Sequence, residues 1–146
     1  MATTSLDRQV EGQLRQHGIR YTSGRRAVVR VLAAAEGPRS AAELHSDLAP
    51  TVPLSSLYRS LTVLEEAGVL APHHGTKGLT RYEIAEWLAG HHHHLVCTGC
   101  GSVEDIQIPE GHERRLRDLI ADVASAAGFA PTDHSLEIEG NCPRCR

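Results

Sequence analysis

Aromatic side chains are scarce in this 146-residue chain: one Phe, one Trp and three Tyr make up 3% of it. Aromatic packing is therefore not where its chemistry is concentrated. Long hydrophobic runs are missing too, none approaching the roughly 20 residues that span a bilayer. The N-terminus lacks a charged stretch leading into an apolar segment and cleavage site. A membrane is thus not an expected partner, and a cytoplasmic location is the expectation. Basic charge is in deficit, with 15 Lys and Arg against 18 Asp and Glu for a net −3, which argues against a uniformly basic nucleic-acid coat but leaves room for a local patch. With 40% hydrophobic and 23% charged residues the composition is that of a globular protein, neither disordered nor low in complexity. What the chain has in surplus is histidine, ten in all.

Charge and histidine are unevenly distributed. Up to Arg81 there are 10 basic and 7 acidic residues, net +3; after it there are 5 and 11, net −6. Eight histidines and all four cysteines lie in or beside the acidic half, leaving only His17 and His45 early in the chain. The simplest reading is bipartite: a mildly basic N-terminal module and an acidic, ligand-rich C-terminal one.

The N-terminal half reads as helices followed by a hairpin. Leu6, Val10 and Leu14 recur every four residues before Gly18, the pattern of an amphipathic helix with a glycine stop. A second helix is expected from about Thr22 to Gly37-Pro38, and a third from Ser40, where Glu43 three residues on completes a capping-box signature. Ser55, Leu57, Leu61 and Leu64 describe a fourth, capped at Leu54 or Ser55 and ended by Gly68. Val69 to Ala71 and Thr80 to Ile84 flank Gly75-Thr76-Lys77-Gly78 as a β-hairpin. This is the order of a winged helix-turn-helix, whose helix after the turn enters the major groove. Ser55, Ser56, Tyr58 and Arg59 gather in that helix's first turns, where Arg suits guanine or phosphate and the hydroxyls suit phosphate. Arg20, Arg25, Arg26, Lys77 and Arg81 are further candidates for backbone contacts.

The C-terminal half reads as a metal module. Cys97-Thr-Gly-Cys100 and Cys142-Pro-Arg-Cys145 are two CxxC knuckles, enough to complete the four-thiolate tetrahedron that structural Zn²⁺ prefers. A thioredoxin-like redox role does not account for the second pair. His91 to His94 run into the first knuckle; in an extended strand His91 and His93 face one way and His92 and His94 the other, so two further metal sites become possible. Residues 133 to 139 alternate as a strand, with His134, Leu136 and Ile138 on the packed face. Between the strands a helix from about Pro109 to Ala127 carries an apolar stripe through Leu116, Leu119, Ile120, Val123, Ala124 and Ala127. Glu110 and His112 at its start, and Glu83, His73 and His74 on the hairpin side, are nearby donors.

These motifs resemble the ferric uptake regulator (Fur) family of dimeric, metal-dependent repressors. The resemblance is carried by Ile19-Arg20-Tyr21-Thr22 with Arg25, Leu54-Ser-Ser-Leu-Tyr58-Arg59, the His91 to Cys100 segment, and His134 through Cys142 to Cys145. It implies an α+β chain: a winged helix-turn-helix domain over residues 1–84, a hinge at 85–90, and a small α/β dimerisation domain at 91–146 with a four-cysteine zinc site. It further implies that Arg20, Tyr58 and Arg59 face operator DNA, that Cys97, Cys100, Cys142 and Cys145 hold structural zinc, and that Glu83, His92 and His94 form an interdomain sensing site. His91, His93, His112 and His134 are implied as a second site, His112 standing where the family usually has Glu.

The sequence also departs from the family pattern. Iron-type members complete the sensing site with a helical-domain His where this chain has Gly37-Pro38-Arg39; zinc-type members use an Asp and a Cys at positions that hold Ala71 and Ala85. His73 or His74 is a replacement for the missing ligand. The nitrogen-rich donor sets suit Zn²⁺ or Ni²⁺ over hard ions, so zinc is preferred as the sensed metal, with iron next and manganese or nickel behind. A peroxide sensor is disfavoured, because no Asp is evident among the sensing ligands. Two other classes fit the sequence less well. A zinc hydrolase lacks support, since there is no HExxH and Leu95-Val96 interrupts any HxHxDH pattern; metal storage without DNA binding leaves Tyr58 and Arg59 without a role.

Overall fold

The computed structural model describes residues 4–75 and 77–146. Thr76, at the tip of the expected hairpin, lies outside the described residues.

Side-chain caps set the starts of the first three helices. Helix α1 (Ser5–Gln16) follows Thr4, whose hydroxyl accepts from the Asp7 amide while the Asp7 carboxylate accepts from the Thr4 amide. Helix α2 (Ser23–Ala34) is capped by Thr22. Helix α3 (Ala41–Leu48) is capped by Ser40, with Glu43 closing a second box. Helix α4 (Leu54–Glu66) begins from Pro53 and has no side-chain cap, so the expected cap at Leu54 or Ser55 shifts by one. Pro53 has no N–H to satisfy, and its ring holds φ at −61°. Val10, Leu14, Val28, Val29, Leu44, Leu57 and Leu64 are fully buried where these helices meet. Each leucine contributes about 1.5–3 kcal/mol by leaving water.

Strands β1 (Arg39–Ser40), β2 (Leu70–His74) and β3 (Thr80–Ile84) form an antiparallel sheet in the order β1-β3-β2. Together with α3 and α4 this is the winged helix-turn-helix. A short helix α5 (Glu86–Ala89) leads into the second sheet. There β4 (His93–Cys97) lies between β5 (Val103–Ile106), antiparallel to it, and β6 (Glu137–Gly140), parallel to it. Helix α6 (Glu110–Ala126) connects β5 to β6, with Pro109 as its N-cap. The strand expected over 133 to 139 is confined to its second half, and Ile138 is 49% exposed rather than packed. Of the α6 stripe only Ala124 is buried; Leu119 and Val123 stand exposed, because no element among the described residues covers that face.

The two sheet units touch through backbone as well as side chains. The Asp105 amide donates to the Glu36 carbonyl at 2.8 Å, and Lys77 Nζ donates to the Gly99 carbonyl at 2.9 Å. At Gly37 the approach is so close that a Cβ would lie 2.3 Å from the Val103 carbonyl oxygen. Residue 37 thus faces β5 with backbone where a side chain has no room.

Candidate metal centres

The four cysteines converge. Their sulfurs lie within 4.8 Å of one another. Cys97 Sγ accepts from the Cys100 and Cys142 amides at 3.4 and 3.3 Å, and these bonds lower its thiol to about 6. Hydrogen bonding to Ser102 lowers Cys100 as well, whereas Cys145, crowded by the other three sulfurs, is pushed up to about 12. Four sulfurs this close cannot all ionise without a cation among them. The donor set therefore fits a tetrahedral dication, and zinc held by these thiolates ties the chain end to β4. Gly99 makes room for it: a Cβ there would meet Cys145 Sγ at 3.1 Å.

A second cluster joins the two sheets. Glu83 Oε2 on β3 lies 3.0 Å from His92 Nε2 and 2.9 Å from His94 Nε2. Asp105 Oδ1 on β5, in register with His94, completes the group at 3.7 and 3.5 Å from the same two nitrogens. His92 Nδ1 donates to the Gly90 carbonyl at 2.9 Å, which leaves its Nε2 lone pair for an ion. Burial raises the Glu83 carboxyl, but hydrogen bonds from His94 and His92 bring it below the usual carboxylate range; burial holds Asp105 above it. Sequence reasoning missed Asp105, and its presence removes the ground on which an aspartate-containing sensing set was set aside. His73 is buried and meets Glu137 and the edge of the His94 ring. His74, one residue on, points to the other side of β2 and is exposed, so it stands apart from the cluster.

On the far side of β4 a third cluster forms around Glu113. Its Oε2 is 2.9 Å from His93 Nε2, and its Oε1 is 2.8 Å from His134 Nε2 and 3.1 Å from His91 Nε2. Hydrogen bonds from His93 and His134 hold the Glu113 carboxyl down to about 2. A cavity of about 570 Å³ opens beside it. His112 is exposed and takes no part: neighbouring helical residues point about 100° apart, and it is Glu113 that faces β4. The expected exchange of Glu for His at this position is thereby corrected.

The residues expected at DNA, Arg20, Ser55, Ser56, Tyr58 and Arg59, are all exposed, Tyr58 by 54%. Three other candidates are engaged elsewhere: Arg26 pairs with Asp7 at 3.1 Å, Arg81 with Glu43 at 2.8 Å, and Lys77 holds the Gly99 carbonyl.

A winged helix-turn-helix joined to a sheet that carries these ligand clusters defines a metal-responsive transcription regulator. More narrowly, the chain belongs to the ferric uptake regulator family, whose model matches residues 16–139. It is 34% identical over 138 residues to the ferric uptake regulation protein of Legionella pneumophila, covering 92% of this chain and 96% of that one. It is 29% identical over 149 residues to the peroxide-responsive repressor PerR of Staphylococcus aureus, covering 97% and 95%. Its fold matches that of Helicobacter pylori Fur, whose structure reveals three functional metal binding sites, with a TM-score of 0.76 at 25% identity, covering 99% and 94% of the two chains. Family membership, rather than any missing catalytic group, makes this chain a metal-responsive repressor and not an enzyme. Among the described residues no helix is long and apolar enough to cross a membrane.

Proposed function

We propose that this chain acts in the cytoplasm as a homodimeric repressor that binds double-stranded operator DNA when a divalent metal, zinc first and iron next, is held between its two domains, 1–84 and 91–146. The observation that carries the reading is Glu83 of β3 lying within 3.0 Å of both His92 and His94. A bound dication supplies positive charge and a fixed coordination geometry at that point. Glu83 then pins the wing to β4, His92 and His94 anchor it in the second sheet, and Asp105 adds an oxygen donor from β5. This sets the angle between the domains, so Tyr58 and Arg59 on the two copies of α4 reach successive major grooves together. Ligand and DNA favour one conformer, so each tightens the other. Glu113 with His91, His93 and His134 forms the second site, and the four cysteines hold structural zinc. The test is operator binding titrated with buffered Zn²⁺, Fe²⁺, Mn²⁺ and Ni²⁺ on protein retaining only cysteine-bound zinc; unchanged operator affinity on adding metal refutes the mechanism.

Asp105 favours one second reading. Two carboxylates with two imidazoles make a more oxygen-rich set than the sequence implied, which suits Fe²⁺ or Mn²⁺ as well as zinc. A peroxide-responsive regulator is then the alternative, and it predicts that brief peroxide treatment of Fe²⁺-loaded protein, but not of Zn²⁺-loaded protein, releases the operator.

A further inference from the structure

Asp105 on β5, His94 on β4 and Glu137 on β6 are register partners, so they form one row across the second sheet with the histidine in the middle. The winged domain faces this row with two side chains, not one. Glu83 meets the Asp105 end, as described above. His73 meets the other end: its Nε2 lies 2.5 Å from Glu137 Oε1, and its ring stands edge-on to His94 with centroids 4.7 Å apart. His73 is 92% buried by its 8% exposure, and its Nδ1 has no hydrogen-bond partner. One donor atom each from His73, His94 and Glu137 lies within 4.8 Å of the others.

We infer that His73, His94 and Glu137 form a second metal seat in the interdomain cleft, one that takes nitrogen-preferring divalent cations such as Zn²⁺ and shares His94 with the sensing cluster. Two imidazoles and a carboxylate are a three-residue set that zinc accepts. The sensing cluster offers two nitrogens and two oxygens, the new seat two nitrogens and one oxygen. Because His94 belongs to both, the two seats compete for an ion unless its two ring nitrogens bridge a pair of them. Hard ions such as Mn²⁺ favour the oxygen-richer seat, whereas zinc uses both. The seat also determines which strands are tied: β3 to β4 and β5 in the sensing cluster, β2 to β4 and β6 in the new one. The inference rests on the cleft being metal-binding, and the test separates the two ideas.

The full chain is used with cysteine-bound zinc in place and the third cluster disabled by Glu113→Gln with His134→Ala, and Zn²⁺ and Mn²⁺ affinities are measured by competition with a chromophoric chelator. In that background Glu83→Gln with Asp105→Asn should abolish Mn²⁺ binding but leave Zn²⁺ binding measurable. Adding His73→Gln and Glu137→Gln should then weaken Zn²⁺ by at least about tenfold, the loss that even an outer-shell partner brings. His73→Gln with Glu137→Gln alone should leave Mn²⁺ affinity unchanged. The second seat is refuted if the Glu83 and Asp105 variant binds no Zn²⁺, or binds it equally well with and without His73 and Glu137; the latter result leaves those two residues as a plain interdomain ion pair. If Mn²⁺ and Zn²⁺ affinities ignore Glu83→Gln and Asp105→Asn but fall with His73 and Glu137, the sensing reading fails and the second seat stands.

Discussion

Asp7 is 1% exposed yet ionised inside the winged domain. Burial works against its charge, but hydrogen bonds from Tyr21, Thr4 and Arg30 outweigh burial and bring the carboxyl from 3.8 down to about 2. Arg26 adds a contact at 3.1 Å and lies over the Tyr21 ring at 4.2 Å. A carboxyl depressed by folding contributes stability that is complete above its unfolded value and lost as pH falls through the folded one. Asp7→Asn should therefore lower stability at pH 7 by about 2 kcal/mol, the range for a hydrogen bond to a charged group. The gap in Tm between variant and parent should close as pH drops from about 4 towards 2, and a gap that stays constant over that window would count against the network. The ligand residues read less easily from sequence. The CxxC knuckles and the histidine run identify themselves by spacing alone. Asp105 does not, because it is one of many acidic residues after Arg81 and only the pairing of β5 with β4 brings it beside His94. Glu113 was missed by one position, since the choice between it and His112 depends on the rotation of α6 about its axis.

At the scale of elements, capping residues made the helices legible: Thr22 and the Ser40–Glu43 pair mark starts that the structure keeps. Sheet order was not legible, because the register between β4 and β6 joins residues more than forty positions apart. Two elements invite direct tests. On α4, Arg59→Ala should cost about 1–3 kcal/mol of operator affinity if it reads a base, and should relax preference at that position. Arg20→Ala should instead weaken all sequences alike and lower the slope of log affinity against log salt by about one. Comparing the two variants by fluorescence anisotropy at several salt concentrations would show whether these roles are separate. The Glu36–Gly37 segment is the other element, because it docks by backbone on β5. Gly37→Ala places a methyl where the Val103 carbonyl already stands at 2.3 Å, so the segment must move and the Glu36 to Asp105 hydrogen bond is lost. Metal affinity of the Glu83 cluster should fall, while the cysteine site keeps its zinc; equal affinity in the variant would mean that this contact does not hold the domains together.

For the whole molecule, the net charge of −3 averages a +3 half carrying α4 and a −6 half carrying the metal clusters. That acidic half also leaves apolar surface uncovered: Leu119, Val123 and Phe129 are 59%, 62% and 72% exposed, and Ile138 on β6 is 49% exposed. Leu119 and Val123, four residues apart, share one face of α6, and an uncovered apolar helix face of this kind suits association. A second copy of the chain is the occupant that the proposed reading of an operator by two α4 helices calls for. Val123→Glu with Leu119→Glu would place two buried charges on each side of such an interface, facing their own copies across a two-fold axis. Sedimentation equilibrium should then give a monomer at concentrations where the parent is a dimer. Each winged domain would keep its own contacts but lose the gain from tethering, so operator affinity should fall by about a hundredfold or more while binding to a single half-site stays unchanged. A variant that remained dimeric would move the interface elsewhere, and one that became monomeric with full operator affinity would show that the two reading heads do not act together.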